Sequence, residues 1–544
     1  MDSNTDTITR YHEATKHHPH RYARSLGYMD WATQPDPFRR FSGAPRVALP
    51  PPKVEEDHRD IRYEDVFVPG KVSPQPLSAA SVGRFFEFSL AISAWKQAGQ
   101  NRWALRVNPS SGNLHPTEGY CLLPPLEGIH AAPGVYHYAP REHALERRGE
   151  FAREIWRLLP PGVFLVGLSS IAWREAWKYG ERAFRYCQHD CGHAYLALDV
   201  AARLLGWHLT LLDTVGDQSI AAILGLDRTG DFLANEEEIP EMLMAVWFEP
   251  QSGITRTVLP EPLFRGVAEG AWFGKAEPLS CSHHDWALIR AVDRATKKPE
   301  GVKAPPAASG AGAGFREEIP DRHLPYRHGF SAWQVIRKRR SAVAMDGVTS
   351  LERRAFYRML ARVVDARGNL PWQPKVHLAL FVHRVEGIAP GLYFLVRDPA
   401  LGAAFREAFH RHFRWETPPD CPAHLPLYLL QEGDLTGIAS NLSCAQDIAG
   451  DSAFSTGMIA EFQSSLKCHG PWFYKRLFWE TGMIGQLLYL EAEAAGLSGT
   501  GIGCFFDDAV HELLGLRDLT FQSLYHFTVG GAARDPRLVL RAGE

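Results

Sequence analysis

CGHAYLALDVAARLLG, residues 191–206, and TGMIGQLLYLEAEAAG, residues 481–496, read as one element written twice. Each is rich in Ala and Leu at helical spacing, lacks Pro and ends on Gly, the pattern of a buried core helix with a glycine at its C-terminal end. The register extends outward from both. Gly192 and Gly482, Gly206 and Gly496, Asp217 and Asp507, and Gly225 and Gly515 each lie 290 residues apart. AAILGLDR (221–228) faces AVHELLGLRD (509–518), and EGIHAAPGVYHY (127–138) mirrors EGIAPGLYFL (386–395) at another offset, as differing loop lengths require. An internal duplication is the simplest account.

The boundary between the halves is KKPEGVKAPPAASGAGAG (297–314), where Pro, Ala, Gly and Ser displace any periodic pattern. Residues 1–75, rich in His, Arg, Pro and aromatics, read as an extended arm without a catalytic role. Residues 76–250 form a first domain, 251–328 a connector and 329–544 a second domain. GVFLVGLSS (162–170), MLMAVWFE (242–249), VHLALFVHRV (376–385) and LYHFTVGG (524–531) are short β-rich runs that end in turn residues. Helices and strands together predict an α+β fold, a central sheet packed by helices in each half.

Composition narrows the function. The 544 residues exceed one ordinary core, and 45% hydrophobic with 22% charged residues is a globular balance. A net charge of -3 gives no field for nucleic acid or anionic membrane, so a small neutral or zwitterionic substrate is the expected partner. The N-terminus lacks the apolar core of a signal peptide, and no run reaches a membrane span, which predicts a cytoplasmic protein. Eight irregularly spaced cysteines do not resemble a disulfide framework, so reduced thiols are expected.

Four segments carry candidate chemistry. In RVNPSSGNLHPTEGY (106–120), Pro109 and Gly112 shape a tight turn while Ser110, Ser111 and Asn113 offer small hydrogen-bonding groups, suited to the edge of a flat heteroaromatic ring. KYGERAFRY (178–186), followed by QHDCGH, places Lys178 and Tyr179 side by side. IRKRRSAVAMDG (336–347) clusters Arg339, Arg340 and Ser341, two guanidinium forks and a hydroxyl that suit a phosphate dianion. GTGIGCFFDDAVHELLGL (499–516) holds Gly501, Gly503 and Cys504 in a Gly-containing turn, and VGGAARDPRL adds Arg534 and Arg537 near the end.

These segments resemble the nitroreductase superfamily, in particular the SagB/ThcOx-type dehydrogenase branch that includes azoline oxidases. The loop resembles PSSGxLHPxExY, the second segment KYGxRxYRxxxxDxGH, the third the RRSxRxF opening and the fourth IGGFDEEAVxxLLGL. Val343 departs from the third motif, where the family has a basic residue. The resemblance implies two fused nitroreductase-like domains with mostly antiparallel sheets, forming an intramolecular pseudo-dimer that need not oligomerise. It implies a bound FMN, with Arg339, Arg340, Ser341 and Arg534 at its phosphate, and Pro109, Ser110, Ser111, Asn113, Gly503 and Cys504 framing its ring. Lys178 and Tyr179 become the catalytic candidates, because dehydrogenation needs an acid or base beside the carbon that gives up hydride.

The halves are complementary in what they lack. Leu77 before Ser78 replaces the Arg in the first half, and the loop has decayed to GNLPWQPKV (368–376) in the second. One FMN per chain at the pseudo-dimer interface is therefore expected. The implied activity is hydride transfer through FMN from a heterocyclic or peptide-derived substrate. An NAD(P)H-dependent nitro or quinone reductase and a flavin-binding protein without turnover are the alternatives. GAGAGF (310–315) lacks the preceding strand of a dinucleotide loop. A zinc site at Cys187, His189, Cys191 and His193 fails because the two pairs point to opposite helix faces. SCSHHDW (280–286) lacks partners of suitable spacing, so no metal is expected.

Overall fold

The computed structural model describes residues 3–50, 61–248, 259–302, 326–366, 370–533 and 539–542. Arg534, Arg537, GAGAGF and most of the Pro/Ala/Gly linker lie outside the described residues. The chain divides into two compact units. The N-terminal unit holds Ser25–Ala304, Ser331–Arg337 and Val539–Glu544; the C-terminal unit holds Met1–Arg24, Pro305–Phe330 and Lys338–Leu538.

In the N-terminal unit an eight-stranded sheet runs in the order Ala271–Trp272, Ala144–Glu150, Gly134–Ala139, Thr117–Leu123, Val163–Ser170, Ile239–Trp247 and His208–Leu211, with Arg46–Ala48 also pairing to Ala144–Glu150. Every pairing is antiparallel. The strand Val163–Ser170 is buried at every residue, which accounts for the apolar run Val163–Leu168 that makes up most of it. A core of Leu122, Leu165, Ile223, Leu243 and their neighbours fills one side. A hairpin of Ile92–Ala98 and Asn101–Arg106 takes a third strand, Val539–Ala542, from the far end of the chain.

The C-terminal unit repeats the plan. Its six strands run Leu427–Glu432, Gly391–Leu395, Val376–Val382, Phe454–Glu461, Phe521–Gly530 and Ser498–Ile502, again antiparallel. All six follow the order of six strands in the other unit. The helices keep register to the residue: Ala183–Leu204 and Phe473–Ala494 begin and end 290 positions apart, as do Asp217–Leu224 and Asp507–Leu514. Both shorter helices stop at a glycine in the left-handed region, Gly225 and Gly515, which the two GL sequences had marked.

The extended arm is divided between the units. Helix Ser3–Ala14 packs on the C-terminal unit, where His12 Nε2 lies 3.1 Å from Gln522 Oε1, Lys16 pairs with Asp508 at 2.8 Å and the His17 amide donates to Asp507 at 2.9 Å. Residues 25–50 pack on the N-terminal unit, where Arg39 lies buried against Glu236 and Glu238.

Candidate functional site

The loop at 109–113 folds into a turn of unusual backbone. Gly112, Asn113 and His115 all have positive φ, at 60°, 60° and 52°, so half of residues 110–115 sit in the left-handed region. Two of the three are not glycine, a cost of roughly 1–3 kcal/mol each that local hydrogen bonds must offset. The His115 amide donates to Ser110 Oγ at 2.8 Å, and Asn113 Nδ2 donates to the Ala104 carbonyl at 2.9 Å.

Lys178 and Tyr179 close a short helix, α1 (Ala172–Tyr179), which Gly180 ends at φ 57°. A 3-10 turn leads into the long core helix α2 (Ala183–Leu204). The structure brings loop and pair together. A Cβ built on Gly112 would stand 2.6 Å from Tyr179 Oη, so the phenol lies against the glycine backbone. Lys178 Nζ sits 5.2 Å from the centre of the Tyr179 ring, and Tyr186 of α2 packs edge-on to that ring at 4.6 Å.

Two carboxyls missing from the sequence reading stand beneath this cluster. Glu175 of α1 and Asp190 of α2 are fully buried. Ser111 donates to Asp190 through its amide at 3.1 and 3.2 Å and its hydroxyl at 3.2 Å, while Ser110 Oγ lies 3.5 Å from Glu175. Burial raises the Asp190 carboxyl to about 7 against the pull of the two serines. Burial and then the Asp190 charge push Glu175 well above the carboxylate range, and burial and Glu175 push the Tyr179 phenol up. The Asp of KYGERAFRYCQHD was the sequence signal for Asp190. Glu175, three residues before Lys178, carried none.

α1 is braced from segments that the sequence left without a role. Trp177 Nε1 donates to the Asp30 carbonyl at 3.1 Å and its ring meets Trp31, while Trp173 Nε1 donates to Ser280 Oγ at 2.7 Å. Arg174 is wholly buried: Nε reaches the Asp36 carbonyl at 2.9 Å, and Nη1 reaches the His115 carbonyl at 2.7 Å and pairs with Glu118. Arm and connector thus fix the helix that presents Lys178 and Tyr179.

In the C-terminal unit the Arg-Ser cluster meets the Gly turn through Tyr489. Ser341 Oγ and Tyr489 Oη are 2.8 Å apart, the same oxygen accepts from the Gly501 amide at 2.9 Å, and the Arg339 guanidinium lies 5.0 Å from the Tyr489 ring centre. The Ala342 amide donates to the Gly499 carbonyl, and Thr500 Oγ1 returns a bond to Ala342. Arg339 is buried and Arg340 half-buried; Lys338, Arg339 and Arg340 all act on one carboxylate, Glu493. Three cations gathered around one carboxylate make a basic cluster whose chemistry suits a phosphate dianion. In the N-terminal unit, Asn108 Oδ1 and Glu175 Oε2 are buried acceptors without a hydrogen-bond partner beside the loop. The Arg-Ser donor set of the C-terminal unit fits the phosphate of FMN, which when bound would supply a two-electron carrier that exchanges hydride at N5.

One expectation is corrected. Cys504 is not a reduced thiol: it is joined to Cys444, with Cα atoms 5.9 Å apart, and its carbonyl accepts from Gln446 at 3.1 Å. Sixty residues separate the two in sequence, so spacing alone gave no hint. The bond ties the Gly503–Cys504 turn to the 443–446 loop. The six other cysteines are free.

The duplication supplies an internal comparison. Shifted by 290, Lys178 and Tyr179 fall on Cys468 and His469, Gly180 on Gly470, Glu175 on Ser465 and Asp190 on Glu480. Gly470 keeps the positive φ, so the backbone is retained while the candidate pair is not.

Residues 400–531 match the model of the Nitroreductase family. A solved protein of Anabaena variabilis ATCC 29413, assigned as a nitroreductase, superposes with a TM-score of 0.67 at 19% identity, covering 97% of this chain and 99% of that one. Partial matches include the E. coli Microcin synthetase McbBCD complex with truncated pro-MccB17 bound (20% identity, 32% of this chain, 66% of that one, TM-score 0.27). Another is a Ralstonia eutropha JMP134 protein also assigned as a nitroreductase (12% identity, 42% of this chain, 98% of that one, TM-score 0.27). Neither carries an argument at that score. No curated protein matches the chain. Among the described residues no helix is long and apolar enough to cross a membrane. The α+β nitroreductase-like fold thus extends over most of the chain, with a Nitroreductase family domain in its second half.

Proposed function

We propose that this chain is an FMN-dependent oxidoreductase of the SagB-type dehydrogenase kind, acting on a small heterocyclic or peptide-derived substrate. The observation that carries the reading is the seating of Tyr179 against Gly112. It unites two motifs, Gly112 and Tyr179 lying 67 positions apart and each motif resembling that branch in sequence, in one cluster with Lys178, Ser110 and Ser111. Lys178 and Tyr179 handle the proton, and the loop 109–113 lies along the ring of the cofactor. Arg339, Arg340 and Ser341 hold its phosphate. Assignment of both sets to a single FMN rests on the sequence resemblance and on the motifs each half lacks.

The decisive experiment is the visible spectrum of the purified chain, followed by release and counting of its cofactor. One FMN per chain is the expected result. Two would contradict the decayed loop at 368–376, and none after soaking with excess FMN would sink the reading. Lys178→Met and Tyr179→Phe are then expected to keep the FMN and lose turnover, by roughly a hundredfold or more for a general acid–base group. Full turnover in both would mean that the catalytic assignment is wrong.

A further inference from the structure

We propose that Glu175 and Asp190 form a buried carboxyl pair that holds one proton between them and exchanges it with the substrate through the Tyr179 hydroxyl. The inference rests on the oxidoreductase reading above and gives its proton a place to go.

The problem it answers is set by Tyr179. Its phenol is pushed well above its ordinary range by burial and by Glu175, so at neutral pH it keeps its proton and is no base by itself. It can pass a proton on only if an acceptor stands behind it. Glu175 precedes it by four residues on α1, one helical turn away on the same face. Asp190 faces it from α2, and both act on the phenol electrostatically. The loop joins the three: Ser110 contacts Glu175, Ser111 binds Asp190, and Gly112 lies against the Tyr179 hydroxyl.

Two carboxyls buried together cannot both carry charge without a strong partner. Neither of these has one. Their neighbours are Arg174 and Lys178 on α1, Cys187 and Cys191 on α2, and the two loop serines; the Arg174 guanidinium is committed to Glu118. The duplicate supplies the contrast. Glu480, at the position of Asp190, is neutralised by Arg397 and accepts from Trp372 Nε1 and the amides of Lys375 and Val376. Ser465 replaces Glu175 there. The half that lacks Lys178 and Tyr179 has lost the second carboxyl and quenched the first.

During dehydrogenation a substrate C–H bond breaks with its electron pair leaving as hydride to FMN, and a proton leaves the adjoining atom as the double bond forms. That proton moves to Tyr179 Oη while the phenolic proton moves to the carboxyl pair, so Tyr179 is neutral before and after. A two-electron acceptor such as a quinone reverses the route, receiving hydride and the stored proton to give the hydroquinone.

The test has two arms. Infrared titration of the chain should show a protonated-carboxyl stretch that weakens as pH rises through about 7, where Asp190 gives up its proton, and a remainder that persists above that step on Glu175, which burial and the Asp190 charge hold higher. That band should be absent from the Glu175→Gln/Asp190→Asn double variant and retained in Tyr179→Phe. In the second arm the FMN-loaded chain is reduced with dithionite and reoxidised by benzoquinone in a stopped-flow cell. The wild-type rate should fall on the alkaline side of that step, as the remaining proton leaves Glu175 and the donor is lost. The double variant and Tyr179→Phe should keep their FMN, lose that limb and reoxidise roughly a hundredfold more slowly. A chain with no carboxyl titrating near neutrality, or a double variant with the wild-type pH profile, overturns the proposal. Failure to bind FMN would instead overturn the oxidoreductase reading, leaving the infrared arm to decide whether the pair holds a proton.

Discussion

A side chain at position 112 has no room. The Cβ of an alanine would meet Tyr179 Oη at 2.6 Å on a backbone at φ 60°, so Gly112→Ala combines left-handed strain with displacement of the phenol. The expected cost is about 1–3 kcal/mol in thermal unfolding, with turnover lost well before the fold. A variant with unchanged kcat would show that Tyr179 need not lie against the loop. A second residue-scale prediction concerns Cys504. The bond to Cys444 closes 60 residues of chain, which by loop entropy is worth about 4 kcal/mol. Cys504→Ser should lower the denaturant midpoint accordingly, and reductant should then have no further effect on the variant. An unchanged midpoint in wild type with and without reductant would mean the bond does not form in solution.

At the scale of elements the decisive one is α1. Eight residues are too few to hold a helix in water, so its position is set by what binds it from outside. Arg174→Met removes the nearest cation from buried Glu118, leaving it to His137, and strips the His115 and Asp36 carbonyls of their donor, so it should cost roughly 3 kcal/mol. Trp177→Phe keeps most of the ring and loses only the bonds to Asp30 and Thr33, so it should cost about 1 kcal/mol. Equal losses in the two unfolding curves would refute this ranking. These braces explain what sequence could and could not reveal. The core helices, the short β-rich strands and the 290-residue register were legible because period and glycine punctuation are local signals. The gathering of the loop with Lys178 and Tyr179 followed from motif resemblance. The bracing of α1 by Asp30, Asp36 and Ser280 was not legible, since it joins residues more than 100 positions apart through carbonyls and hydroxyls that leave no periodic trace. Glu175 was hidden for a related reason: a carboxylate on an amphipathic helix reads as solvated until burial is known.

At the scale of the molecule, each unit builds a nitroreductase-like sheet, yet the N-terminal unit also encloses a charged interior. Arg39, Glu118, His137, Glu146, Arg174, Glu236 and Glu238 are all buried there, and His137 sits between Glu118 at 2.9 Å and Glu146 at 3.0 Å. Burial alone would push the imidazole down; the hydrogen bonds and charges of the two carboxylates outweigh it and raise His137 to about 9. Glu118 is held well below the carboxylate range, burial being outweighed by Arg174 and His137. The two shifts act on opposite sides. The stabilisation by His137 is complete below its unfolded value, near 6.5, and is lost as pH rises through about 9. That by Glu118 is complete above the ordinary carboxylate range and is lost as the medium turns strongly acid. A raised imidazole of this size corresponds to about 3 kcal/mol. The stability gap between wild type and His137→Gln should therefore be widest below pH about 6.5 and shrink by about that amount as pH passes about 9. Substitution also removes a partner from both carboxylates, but that loss persists at alkaline pH, so the closing of the gap isolates the charge on the ring. A gap that stays constant from acid to alkaline pH would mean that His137 is neutral in the folded chain and that the network is held by Arg174 alone.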